Sequence, residues 1–131
     1  MKNKKEYKRK KREQFKKRYK NNVIFREKKK NINKKSRRKV RLKILIQYGG
    51  NPPKCACCGE KEIKFLGVDH IKNDGAKHRK KIGGGSTHLY FWLSTHKHMP
   101  NVFQILCYNC NLSKGFYKKC PHKSFCQSKR L

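Results

Sequence analysis

Two Cys-x-x-Cys pairs, Cys55/Cys58 and Cys107/Cys110, bracket an adjacent aspartate and histidine, Asp69-His70, and an asparagine, Asn111, directly follows the last of those cysteines. Two thiolates separated by two residues and followed by a glycine, here Gly59, can turn tightly enough to face one ion. Four thiolates from two such knuckles make a tetrahedral zinc site, structural in character. Such an ion pins the chain near residue 55 to the chain near residue 107, and so fixes where Asp69 and Asn111 point. Seven cysteines is an odd number, and the lysine-rich start has no apolar segment after it to make a secretory signal. Metal binding in a reducing compartment is therefore expected over a disulfide framework. Cys57 is expected to be spare, because only Cys55/Cys58 has the gap that matches Cys107/Cys110. Cys120, His122 and Cys126 are irregularly spaced and are expected to be free of metal.

The chemistry available at Asp69-His70 is hydrolytic. Only four acidic residues follow position 43, namely Glu60, Glu62, Asp69 and Asp74, so a carboxylate beside a histidine at a strand end stands out. Asp69 and the side-chain carbonyl of Asn111 are hard oxygen donors suited to Mg²⁺ or Mn²⁺. The imidazole of His70 titrates near neutrality. A water activated by His70, with a phosphate held on the metal, would give phosphodiester hydrolysis. Taken alone, an Asp-His pair is more often a turn residue beside a surface histidine; the two flanking knuckles are what turn it into a candidate site.

The elements that must position these residues follow from pattern. Residues 63–68 alternate loosely and predict a short strand ending at Asp69-His70, and residues 102–106 predict a second strand leading into Cys107. Asn111 is a favoured cap for a helix continuing through Lys114. Residues 72–88 are polar and glycine-rich and are expected to form a mobile loop. That loop carries His78, Arg79, Lys80 and Lys81, which together with Lys114 are expected to contact nucleic acid. The aromatic run 89–93 predicts a short helix over the core. Ser36 is expected to cap a helix through Val40, Leu42, Ile44, Leu45, Ile46 and Tyr48 that ends at Gly49-Gly50.

Composition sets the partner. The 131 residues suffice for one small domain, and the net charge is +31. Residues 1–43 hold 23 Lys/Arg against 3 Glu, which places +20 of that charge in an N-terminal arm. Nucleic acid is the expected partner, because each phosphate contact releases counterions. The arm is expected to be frayed, or disordered until it meets nucleic acid, although Tyr7, Phe15, Tyr19 and Val23 at multiples of four allow a helix with one sparse stripe. With apolar residues at 34 %, the chain is too poor in core material to hold a fold easily without a staple. No stretch is apolar and long enough to span a membrane.

Cys55-x-x-Cys58, Val68-Asp69-His70-Ile71 and Leu106-Cys107-x-x-Cys110-Asn111 resemble the HNH nucleases, the ββα-metal finger class, and in particular the branch with recombination endonuclease VII-like members. The resemblance covers roughly residues 40–122. It implies an α+β, zinc-stapled, treble-clef-like nuclease domain at 40–122, preceded by a helical or disordered basic arm at 1–39 and followed by a basic tail at 123–131. It also implies His70 as general base, and Asp69 and Asn111 as the residues holding Mg²⁺ or Mn²⁺ against the scissile phosphate. The products would carry 5′-phosphate and 3′-hydroxyl ends. Two departures stand out. The asparagine that orients the base histidine in the family is replaced by Val102, with Asn101 or a backbone carbonyl as candidate substitutes, and the insertion between Asp69 and Val102 is long. DNA is the expected substrate, with RNA possible, in an intracellular location such as a prokaryotic cytoplasm or a nucleus. Monomer and homodimer are both open. The alternative is a non-catalytic zinc module that binds nucleic acid, of ribosomal or regulatory type. It accounts for the charge and the cysteines but not for Asp69-His70 and Asn111.

Overall fold

A computed structural model of the chain describes residues 3–122, which divide between Arg38 and Lys39 into two compact units. The basic tail and Cys126 lie outside the described residues. Among the described residues are five α-helices and one two-stranded sheet, an α+β arrangement. No helix among them is long and apolar enough to cross a membrane.

The arm is helical. No glycine or proline occurs before Gly49, and Lys, Arg, Glu and Gln are good helix formers. Helix α1 (Lys4–Asn21) starts at Asn3, whose side chain accepts from Lys5 N, and it buries no residue. Glu6–Lys10 and Arg9–Glu13 offset some of its like-charge repulsion. Asn22 interrupts the stripe of four-spaced apolar residues before Val23: its backbone is extended, and its side chain accepts from Phe25 N at 2.8 Å to open α2 (Val23–Gly49). Phe15 then packs on Tyr19 and on Phe25. Ser36 lies inside α2 and does not cap it.

In the second unit, β1 (Leu66–His70) and β2 (Phe103–Cys107) pair antiparallel, with Leu66 opposite Cys107 and His70 opposite Phe103. A single 3₁₀ turn, Ile63–Phe65, precedes β1 where a longer strand was expected. Arg41 of α2 donates to the carbonyls of Ile63 (2.8 Å) and Leu66 (2.6 Å), which fastens the entry to β1. Gly49 lets the end of α2 approach β2 closely, since a Cβ there would lie 3.0 Å from Ile105 Cγ1.

Residues 72–88 are largely helical, which corrects the expected loop. Helix α3 (Gly75–Ile82) closes at Gly83 in the left-handed region, and α4 (Ser86–Thr95) follows, burying Leu89 and Leu93. The glycines that suggested a loop act as the stop between two short helices. Helix α5 (Tyr108–Tyr117) begins three residues before the expected cap, because Cys107 caps it: its sulfur accepts from Cys110 N.

One buried cluster joins Leu45, Leu66, Ile105 and Leu106 to Cys55, Cys107, Cys110 and Cys120. A second gathers Ile44, Leu89, Leu93 and Phe103. Half of the first cluster is cysteine, which is where a bound ion would reinforce a small core.

Candidate active site and metal centre

The four cysteines of the two knuckles meet. Cys55, Cys58, Cys107 and Cys110 bring their sulfurs within 4.8 Å of one another, a group that could hold zinc. A tetrahedral site with Zn–S bonds of about 2.3 Å has S···S edges of about 3.8 Å. Cys58 Sγ and Cys107 Sγ lie 3.7 Å apart, close to that edge. Backbone geometry builds the site. Gly59, at φ +80°, donates to Cys55 O and lets the chain double back, so that Cys55 N reaches Glu60 O. Ala56 N donates to Ile105 O and pins this knuckle on β2. In each knuckle the first sulfur accepts a backbone N–H, from Cys57 onto Cys55 and from Cys110 onto Cys107. Burial works against ionising Cys55, but the amides of Cys58, Cys107 and Cys57 outweigh it and hold that thiol down at about 7. Burial pushes the Cys110 thiol up, with the neighbouring sulfurs adding to the effect. A dication among such thiols reverses that preference.

Cys57 and Cys120, expected to be spare and free, also converge on Cys110. Cys57 is half-buried, Cys120 is buried, and His122 Nδ1 lies beside both Cys110 and Cys120. The irregular spacing concealed this group because its members come from three separate segments.

Asp69 and His70 are each 5 % exposed at the end of β1. Asp69 Oδ2 accepts from Gln104 Nε2 (2.7 Å), its cross-strand partner, and from Lys114 Nζ (2.6 Å) on α5. Lys114 also donates to His70 O (2.7 Å), so one ammonium ties α5 to both residues. Asp69 Oδ1 accepts no hydrogen bond among the described residues. His70 Nε2 lies 2.9 Å from His78 Nδ1. Phe103 packs edge-on against His70, and Trp92 against His78. Desolvation, followed by repulsion from His78, holds the His70 imidazole below its ordinary range, so it is neutral at neutral pH. On its other side Gly75 packs closely against the ring: a Cβ there would sit 2.9 Å from His70 Nδ1 and 3.3 Å from an Arg79 guanidinium nitrogen.

The structure therefore sets two groups at the end of β1: the Asp69 carboxylate with Gln104 and Lys114, and the His70 ring with His78, with Arg79 near the latter. His78 and Lys114, expected to face nucleic acid, are turned inward, while Arg79, Lys80 and Lys81 are exposed. Asn111 is half-buried, three residues before Lys114 on α5, and helical neighbours at that spacing are adjacent. It lines an open groove with Tyr108, Leu112, Gly115 and Phe116, and its side chain makes no hydrogen bond among the described residues. Val102 contributes a backbone carbonyl to Ile71 N, and Asn101 is exposed in a turn. The side chain that hydrogen-bonds the His70 ring is His78. Sequence reasoning missed this because it placed His78 on a loop; a helix starting at Gly75 is what carries His78 back to β1.

No family model, no curated protein and no solved structure matches this chain.

Proposed function

We propose that this chain is a divalent-metal-dependent endonuclease of the HNH type, hydrolysing phosphodiester bonds in DNA. The observation that carries the reading is the pairing of His70, buried, neutral and ring-bonded to a second histidine, with a carboxylate one residue away on the same strand end. The antiparallel pair β1–β2 followed by α5, with a cysteine knuckle at the start of that helix and with α3 and α4 inserted between the strands, supports a ββα-metal, treble-clef-like domain.

The roles follow from the atoms. Asp69 and Asn111 would hold Mg²⁺ or Mn²⁺: Asp69 Oδ1 and the Asn111 amide oxygen are hard donors without hydrogen bonds among the described residues. Such an ion supplies Lewis-acid stabilisation of charge on the phosphate and on the departing 3′ oxygen. His70 donates from Nε2 to His78 Nδ1 in the tautomer this reading requires, which leaves Nδ1 to take a proton from water. His78 does for His70 what the missing asparagine at Val102 does in the family. Glycine at 75 is what fits beside Nδ1, and Arg79, on the same side, would receive a phosphate oxygen. The basic arm adds phosphate contacts that do not depend on sequence, so binding should fall steeply with salt.

Lys114 favours a second reading. Its ammonium already neutralises Asp69 in the position a metal would share, as it would in a non-catalytic zinc module that only binds nucleic acid. Incubating DNA with the full chain in Mg²⁺, in Mn²⁺ and in excess chelator separates the two. The nuclease reading expects metal-dependent cutting with ends that a ligase rejoins, meaning 5′-phosphate beside 3′-hydroxyl. Binding without cutting in either metal would support the module instead.

Gly75→Ala gives a finer test of the base. The new Cβ presses on His70 Nδ1, so cleavage should drop by roughly tenfold or more. Stability should also fall, by about 1–3 kcal/mol, because the buried His70 ring must shift to admit the Cβ, so the cleavage loss is read at a temperature where both proteins are folded. Paired cleavage assays and thermal melts check both halves.

A further inference from the structure

We propose that the cysteine centre holds two zinc ions bridged by Cys110. Two four-membered donor groups share that residue: Cys55, Cys58, Cys107 and Cys110 form one, and Cys57, Cys110, Cys120 and His122 form the other. Within each group the ligand atoms lie within 4.8 Å of one another. Two tetrahedra need eight ligand positions, and these seven side chains supply eight when one thiolate serves both ions. A thiolate sulfur has lone pairs enough to do so.

The second group has the dimensions of a metal site. With Zn–S of about 2.3 Å and Zn–N of about 2.05 Å, a tetrahedron has S···N edges of about 3.6 Å. His122 Nδ1 lies 3.3 Å from Cys110 Sγ and 3.6 Å from Cys120 Sγ. One imidazole nitrogen thus faces two sulfurs at the spacing zinc would impose. Burial agrees: Cys110 is fully buried, Cys120 is 6 % exposed, and Cys57 packs against the same cluster. With a single ion in the first group, Cys57, Cys120 and His122 would be gathered around a sulfur already committed elsewhere. The second ion explains why they are there and gives the segment after α5 an anchor. That segment leaves the helix through Lys118, in the left-handed region at φ 62°, and returns Cys120 to the first knuckle. The inference stands apart from the nuclease reading, since it concerns only the cysteine centre.

Native mass spectrometry and metal analysis of the full chain, purified with zinc under reducing conditions, test the count. Two ions per chain are expected for the intact protein. One ion is expected for Cys57→Ser and for His122→Ala, both retaining the helical circular dichroism of the intact chain. His122 is exposed, so its replacement leaves the buried core in place and keeps the test meaningful if Cys57→Ser misfolds. One ion in the intact protein, or two retained in His122→Ala, would overturn the proposal. Cobalt substitution tests the bridge. Two Co²⁺ ions joined by one sulfur couple magnetically, so the paramagnetic signal per cobalt should fall as the second equivalent enters. A signal that simply doubles would mean two separate ions and no bridge.

Discussion

Removal of zinc from the intact protein is expected to unfold the unit that begins at Lys39. Structural zinc binds with an apparent free energy of about 10–16 kcal/mol, comparable to or larger than the roughly 5–15 kcal/mol that holds a whole domain together. The first buried cluster is half cysteine, so without an ion its remaining apolar members are Leu45, Leu66, Ile105 and Leu106. Cys110→Ser should reproduce the effect from inside the protein, since Cys110 belongs to the knuckle at the start of α5 and is fully buried. Trp92 gives the readout: it is the single tryptophan, stacked on His96 and edge-on to His78. Its fluorescence should shift to that of a solvated indole as a strong chelator is added, and the cooperative melt should disappear. Helix α1 buries nothing and should keep its contribution to the far-ultraviolet signal. An unchanged Trp92 spectrum and melt in zinc-free protein would mean that the apolar clusters suffice alone.

Lys114→Ala should cost the protein about 3 kcal/mol and lower its melting temperature by roughly 10 °C. The pair it breaks is largely buried, with side-chain exposures of 14 % for Lys114 and 5 % for Asp69. Removing the ammonium leaves Asp69 with only the Gln104 amide, while the His70 carbonyl keeps a single donor, Asn73 N at 3.0 Å. Lys114→Ala also separates the two functional readings. If Asp69 is a metal ligand, millimolar Mg²⁺ should restore much of the lost stability, because a dication takes the place of the lysine. If Asp69 serves only as the partner of Lys114, Mg²⁺ should do nothing for the variant.

The parts of this architecture that were legible in the sequence are those fixed by local chemistry. The two Cys-x-x-Cys turns, the strand ending at Asp69-His70, the strand leading into Cys107 and the aromatic helix around Leu89 all declare themselves through spacing and alternation. What was not legible depends on partners far away in the chain. Ser36 is a good cap in isolation, but the run without glycine or proline from Met1 to Tyr48 carries α2 straight through it. The glycines at 83–85 suggested a loop, yet they punctuate two helices, and the first of these delivers His78 to His70. Gln104 and Lys114 carry no motif; register and helix phase bring them to Asp69. Cys57 looked surplus because its companions, Cys110, Cys120 and His122, are more than fifty residues downstream.

The most direct test of the central claim is cleavage of a supercoiled plasmid in Mg²⁺ or Mn²⁺ by the intact protein and by His70→Ala, both zinc-loaded and both shown to bind the DNA. General-base catalysis contributes about 10²–10⁴-fold. Nicked or linear plasmid is therefore expected with the intact chain, and cutting reduced by about that factor with the variant at unchanged affinity. Equal cutting by the two proteins would contradict His70 as the base, and binding without cutting by either would contradict the nuclease itself.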